Sequence, residues 1–291
     1  MRRNTATMSR QLMARTIDPM VGDAQGGSMH RLVGIVLAGA LLLPGVATAQ
    51  VQPHRAEYAL RLGTSANAPR IGTAVHDLSQ DCSGWHLKRD IRTEIALTTS
   101  WKMSVSSKLD GQEPKSGNAF RFSTVQIQNG SERELKGRVQ RQGKELRAEI
   151  VQPGVPPEQF VLPPSTLMPV AAVNLLIDRL QAKAVNFPAL MFDGEVIADA
   201  FLIEVTEQER DQLRAAPPID RPVAKPSAKS WPVFMTFTRG RRQDQRPLFT
   251  VGALVFDNGV LDRLTVETGL LTVTADLQAL EMRPVPNCPR S

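Results

Sequence analysis

Histidine and cysteine are scarce in this sequence, with four of the first and two of the second in 291 residues. Three histidines, His54, His76 and His86, are all that remain beyond residue 49, and they and the cysteines lack the spacing of a zinc site. No GxSxG elbow, HExxH helix, P-loop or dinucleotide-binding GxGxxG occurs, so familiar hydrolase chemistry is missing its parts. The expectation is a protein that is no enzyme and holds neither metal nor cofactor. Charge of one sign is not concentrated either. The formal balance is +6, and removing residues 1 to 49 takes away five Arg and two Asp, leaving 30 basic against 27 acidic side chains. Arg239-Gly240-Arg241-Arg242 reads as a solvated turn, so a nucleic-acid partner is not expected. With 42% hydrophobic and 22% charged residues, disorder and a multi-span membrane class are excluded. No internal repeat of fixed period is present.

One apolar run stands out, Leu32 to Val46, uncharged, preceded by Arg31 and followed by Ala47-Thr48-Ala49. At 15 residues it falls short of the roughly 20 that a spanning helix needs. The small residues at Ala47 and Ala49 and the helix-breaking Pro44 instead make a signal peptide over 29–49, cleaved between Ala49 and Gln50. No cysteine follows the run, so a lipoprotein anchor is not expected. Residues 1 to 28 are polar and aperiodic, and translation is expected to begin at Met29, which puts Met29-His30-Arg31 directly before the apolar run. The expected mature chain is a single domain over 50–291 in the periplasm, without a transmembrane anchor. In that oxidising compartment Cys82 and Cys288 pair by default, the alternative being two buried free thiols.

Period-two alternation dominates the rest. From Arg55 to Leu62, Ala56, Tyr58, Leu60 and Leu62 share one face while Arg55, Glu57 and Arg61 share the other. The same pattern recurs at 119–127, 146–151, 201–205, 233–238, 248–256, 260–268 and 271–279. Asp110-Gly111, Asn129-Gly130 and Asn258-Gly259 read as hairpin turns. An antiparallel meander of roughly ten or more strands follows. One segment breaks the pattern: Pro169 to Ala184 carries Val170, Val173, Ile177 and Leu180 at helical spacing, with Ser165 or Thr166 as cap. Its apolar stripe must be buried against the sheet. The prolines 217, 218, 222, 226 and 232 mark a long loop.

Remaining candidates for chemistry have plain explanations. His76 and Asp77 are neighbours on a strand, point to opposite faces and read as exposed polar residues. Asp193 and Glu195 flank Gly194 and read as solvated turn carboxylates. Trp85, Trp101 and Trp231 read as core packing.

Four stretches together carry a resemblance. They are His54-Arg55-Ala56-Glu57-Tyr58 with Leu60 and Leu62, and Cys82-Ser83-Gly84-Trp85. They continue with Leu162 through Pro169 and the helix to Met191-Phe192-Asp193-Gly194, and with Ser230-Trp231-Pro232-Val233, Asn258-Gly259-Val260 and Cys288. Over residues 53 to 288 the chain resembles the envelope integrity protein B (EipB) family of α-proteobacterial periplasmic proteins. The resemblance implies a mainly β fold, one curved antiparallel β-spiral or open half-barrel around one amphipathic helix, with the two cysteines bonded. It also implies a role in maintaining the cell envelope without established enzymatic activity, and periplasmic partners such as helical-repeat proteins. The chain departs from the family pattern at Ser165, where Gly is usual, at Ala172, near a usual His, and at Glu267-Thr268-Gly269, near a more acidic, aromatic segment.

The expected function is a noncatalytic, monomeric periplasmic protein whose open β-cup binds a lipid, peptide or protein partner in support of envelope integrity. Two alternatives stand beside it: a half-barrel lipid carrier, and a hydrolase of envelope polymers that would need a cleft with clustered carboxylates.

Overall fold

The structure, a computed structural model, describes residues 50–65, 67–96, 102–215, 223, 226–240 and 246–289. The expected signal peptide with Ala49, the expected start at Met29, Trp101, Arg241, Arg242 and three of the loop prolines lie outside the described residues. Gln50 is exposed. No helix among the described residues is long and apolar enough to cross a membrane.

The chain first forms β1 (His54–Leu62), β2 (Arg70–Gln80), β3 (Gly84–Ala96), β4 (Lys102–Pro114), β5 (Ala119–Gln128), β6 (Ser131–Gln142), β7 (Glu145–Gln152) and β8 (Val155–Leu162). Helix α1 (Pro169–Gln181) follows, then β9 (Asn186–Asp193), β10 (Asp199–Glu207), β11 (Ser230–Arg239), β12 (Phe249–Phe256), β13 (Leu261–Glu267) and β14 (Thr272–Met282). All fourteen strands belong to one antiparallel sheet, in the order β8-β7-β6-β5-β4-β3-β2-β1-β14-β13-β12-β11-β10-β9. Two meanders are thus joined where β1 pairs with β14, and the sheet ends at β8 and β9 without closing.

Each alternating run of the sequence lies in a strand. In β5, Phe120, Phe122 and Thr124 face inward, and in β7, Leu146, Ala148 and Ile150 do so. Six further strands, β2, β3, β4, β6, β8 and β9, carry weaker alternation: the inner face of β4 includes Ser107 and Glu113, and β9 is apolar on both faces from Phe187 to Phe192. Asp110-Gly111 is not a turn, since both residues lie inside β4. The glycine serves packing there: a Cβ at Gly111 would sit 2.6 Å from the buried Phe120 ring. Asn129-Gly130 and Asn258-Gly259 do turn, with positive φ at Asn129, Gly130 and Gly259.

Both ends of the sheet are drawn together over a shared core. Phe192 of β9 packs on Phe120 and Phe122 of β5, with ring centroids 6.2 and 5.6 Å apart, so the β9 edge lies against the concave face of the first meander. This overlap makes the sheet a spiral. Helix α1 fills the remaining interior: Val170, Val173 and Ile177 join the cluster of Phe120 and Phe192, whereas Leu176 and Leu180 pack on Phe201, Val233 and Val251. The helix ends three residues earlier than its pattern suggested, at Gln181, where Lys183 takes positive φ.

Neither Ser165 nor Thr166 caps the helix; the residue in the cap position is Met168, without a side-chain bond. The cap comes from β4. Glu113 accepts from the Val170 and Ala171 amides at 2.8 and 2.9 Å, satisfying two of the three free N–H groups of the first turn, Pro169 having none. A disulfide joins Cys82, in the β2–β3 turn, to Cys288 beyond β14, with Cα atoms 5.5 Å apart and a sequence separation of 206. In the chain-entropy account so long a loop is worth about 5 kcal/mol at most. Cys82→Ser is therefore expected to lose about 2–5 kcal/mol of stability, read by urea denaturation under non-reducing conditions. A loss under 1 kcal/mol would mean that the strands hold the two ends without the bond.

Candidate functional site

Two neighbouring features qualify as sites: a groove beside α1, and a buried polar tip where the β9–β10 hairpin meets the concave face.

The groove is a cavity of about 590 Å³ between α1, β9 and the β4–β5 turn. Leu167, Val170, Leu175, Leu190, Leu202 and Trp85 give it apolar walls. Polar groups are few and well separated. Lys115 and Ser165 stand toward the helix N-terminus, Asp178 lies two turns further along the helix, and Glu113 forms part of the lining. Glu113 is buried, and loss of hydration pushes its pKa up to about 7, the two helix amides pulling the other way. Lys115 donates to the Cys288 sulfur at 3.4 Å, so the disulfide borders the same rim.

The tip is held by charge. Asp193 accepts from the amides of Glu195, Val196 and Ile197, at 3.2, 2.5 and 2.9 Å, and so folds the hairpin end back on itself. That turn aims Glu195 into the spiral, where Arg89 of β3 donates to it at 2.7 Å and Ser107 of β4 at 2.6 Å. Thr124 and Gln126 of β5 donate to the Gly194 and Glu195 carbonyls at 2.9 and 2.6 Å. Gly194 is required because a Cβ there would lie 2.8 Å from the Phe122 ring. The carboxylates at 193 and 195 are thus not solvated turn residues. The Glu195 side chain is 4% exposed, and burial raises the pKa of Asp193 against the bonds from Ile197 and Val196.

His76 and Asp77 do point to opposite faces, but neither is a bare surface residue. Asp77 pairs with Arg283 at 2.8 Å and with Arg55 at 3.8 Å. The His76 ring lies tilted against that of His54, with centroids 5.6 Å apart, and burial, followed by Arg89 and His54, lowers its pKa well below the usual value. Burial lowers that of His54 too. Both rings are neutral at pH 7, and His54 Nδ1 donates to the Gln52 carbonyl at 2.7 Å. Ser107 has a carboxylate partner, yet that carboxylate is fully engaged by Arg89 and Ser107, which fits a structural anchor better than an activated nucleophile. Trp85 and Trp231 are half-buried, the first on the groove wall and the second beside the Val233 cluster.

Sequence reasoning missed Glu113, Lys115 and Arg89. The one available signal was alternation in β4, which puts Glu113 on the same face as Leu109 and Gly111, where a charge is out of place.

Because the folded pKa of Glu113 lies above its ordinary value of 4.5, the native state holds the extra proton between about pH 4.5 and 7. The associated stability is complete below pH 4.5 and is lost as pH rises through 7, about 3 kcal/mol at most. Glu113→Gln keeps one amide bond and cannot ionise. The difference in urea stability between wild type and Glu113→Gln is expected to shift in the variant's favour between pH 5 and 7.5; a pH-independent difference would contradict this reading.

The chain matches the family model described as EipB-like over residues 46–284. It is also similar to a solved structure, a β-barrel-like protein of a domain of unknown function from Brucella abortus, with a TM-score of 0.67 and 17% identity. That match covers 81% of this chain and 99% of the other. At such identity the likeness speaks for the fold. No curated protein matches. With the rolled sheet, one helix among the described residues and a family match over most of its length, the chain belongs to the EipB-like family.

Proposed function

We propose that the protein is a noncatalytic periplasmic component that supports cell-envelope integrity by binding a partner in the groove beside α1. The observation that carries this reading is the groove itself. It has apolar walls, a volume suited to a few side chains, and a small number of polar groups placed to orient what enters. The elements around it are rigidly supported, by Glu113 under the helix start and by the disulfide at the rim, as a preformed binding site requires.

The lipid-carrier alternative gains less support. Such a carrier stores acyl chains inside the half-barrel, whereas Phe120, Phe122, Phe192 and α1 occupy the concave side here. A polymer hydrolase would use a cleft with free carboxylates, and the buried pair Asp193 and Glu195 is spent on the hairpin tip.

The test is genetic. A deletion strain is expected to become sensitive to detergent and to a cell-wall antibiotic, and to be rescued by wild type. Leu175→Glu, which puts a charge on the groove wall, is expected to accumulate in the periplasmic fraction at wild-type level and to fail in rescue. Full rescue by that variant, or absence of the protein from the periplasm, would sink the proposal.

A further inference from the structure

The backbone along the groove has a vacancy one strand position long. Leu167 lies beside β9 as an isolated parallel bridge to Met191, its amide donating to the Leu190 carbonyl at 2.8 Å and its carbonyl accepting from the Phe192 amide at 2.8 Å. The even-numbered residues of β9 therefore direct their backbone groups away from β10, as Pro188, which has no amide to offer β10, also requires. Two residues earlier along β9, a second residue in the same parallel row would donate to the Pro188 carbonyl and accept from the Leu190 amide. The chain does not take that place, because Thr166 turns back to donate to the Pro163 carbonyl. Among the described residues nothing pairs with the Pro188 carbonyl or the Leu190 amide, and both residues line the groove.

The geometry points to a C-terminal peptide of another protein as the occupant, added as a short parallel strand beside Pro188 and Leu190. Rested on the binding role proposed above, this names the partner. A segment running parallel to β9 cannot continue beyond the vacant position, since Leu167 already fills the next one. It must stop there or leave the sheet. If it stops, its terminal carboxylate takes the position of a strand carbonyl and accepts from the Leu190 amide, while its last amide donates to the Pro188 carbonyl.

Charge favours the same polarity. Helix α1 and β9 run in opposite directions, so the Leu190 end of the groove lies toward the helix N-terminus, where Lys115 and Ser165 stand, and the Phe187 end lies toward Asp178. A carboxylate is attracted to Lys115 and repelled by Asp178. The positive end of the helix dipole adds nothing, because Glu113 already takes the Val170 and Ala171 amides, so the preference rests on Lys115 and Asp178. Leu167, Val170, Leu175 and Leu202 line the space open to the last side chains, so apolar terminal residues are preferred.

The experiment uses the purified chain from residue 50 with its disulfide intact, and labelled decapeptides whose last three residues are drawn from Ala, Val and Leu. Each is made as the free acid, as the carboxamide, and with two further residues appended, and binding is read by fluorescence polarisation. The free acids are expected to bind about tenfold or more tightly than either altered form, the worth of one charge-assisted hydrogen bond. Lys115→Gln, an exposed change that spares the fold, is expected to weaken the free acid about tenfold and leave the carboxamide unmoved. In wild type the Leu190 amide should gain hydrogen-exchange protection on binding. Equal binding of the three forms, equal loss of acid and carboxamide in Lys115→Gln, displacement by palmitate alone, or no binding by any form at about 1 mM would overturn the inference. If Leu175→Glu still fails in the genetic test after such a result, the groove binds something else; if it also rescues, the binding reading falls with it.

Discussion

Glu195 is the residue on which the architecture turns. A fourteen-stranded sheet that does not close leaves two open ends, and an open sheet of this length must curl against something to bury its faces. Here the β9 end is anchored on the opposite wall by a carboxylate held between Arg89 and Ser107, with Asp193 shaping the turn behind it. The Glu195 side chain is 4% exposed and that of Arg89 34%. Removing Arg89 would leave the buried Glu195 carboxylate unpaired, a cost of up to about 3–5 kcal/mol, whereas removing Glu195 costs less because Arg89 can reach water. The ionic contact also specifies geometry: it fixes how far β9 overlaps β5, which in turn seats Phe192 between Phe120 and Phe122.

That overlap decides where α1 and the groove can be. Once β9 is tucked inside, the helix has sheet surface on two sides and places its apolar residues on both. Glu113 then meets the helix start, spending a buried carboxylate on the two amides of Val170 and Ala171 and tying the helix to β4. The disulfide holds the chain after β14 to the β2–β3 turn, across the seam where the two meanders meet. Groove, cap and disulfide rim are neighbours through Lys115, so the helix cap and the disulfide both border the place proposed for binding.

Much of the strand content was legible because inward positions such as Phe120, Phe122, Leu146 and Ile150 alternate with polar ones. The pairing of Cys82 with Cys288 followed from the expected compartment and the count of two, and the structure contains it. Local signals failed where a distant element made the choice. Gly111 looked like a turn residue and is a strand residue cleared for a phenylalanine ring. Ser165 and Thr166 looked like helix caps, yet the cap is Glu113, more than fifty positions earlier in the chain. Asp193 and Glu195 looked solvated because two carboxylates around a glycine suit an exposed turn, and only the rolled sheet brings Arg89 to them. The vacancy at Pro188 and Leu190 has no sequence signature, since it arises from where the chain before α1 leaves the sheet.

Hydrogen exchange of the backbone amides in wild type and in Glu195→Ala tests the central claim most directly, that the buried tip keeps the sheet rolled. Amides of β9, β10 and α1 should exchange at least tenfold faster in the variant, while those of β1 to β3 keep their protection, because local opening of the edge no longer breaks the Arg89 contact. Unchanged protection throughout β9 and α1 would contradict the account and assign the overlap to the phenylalanine cluster alone.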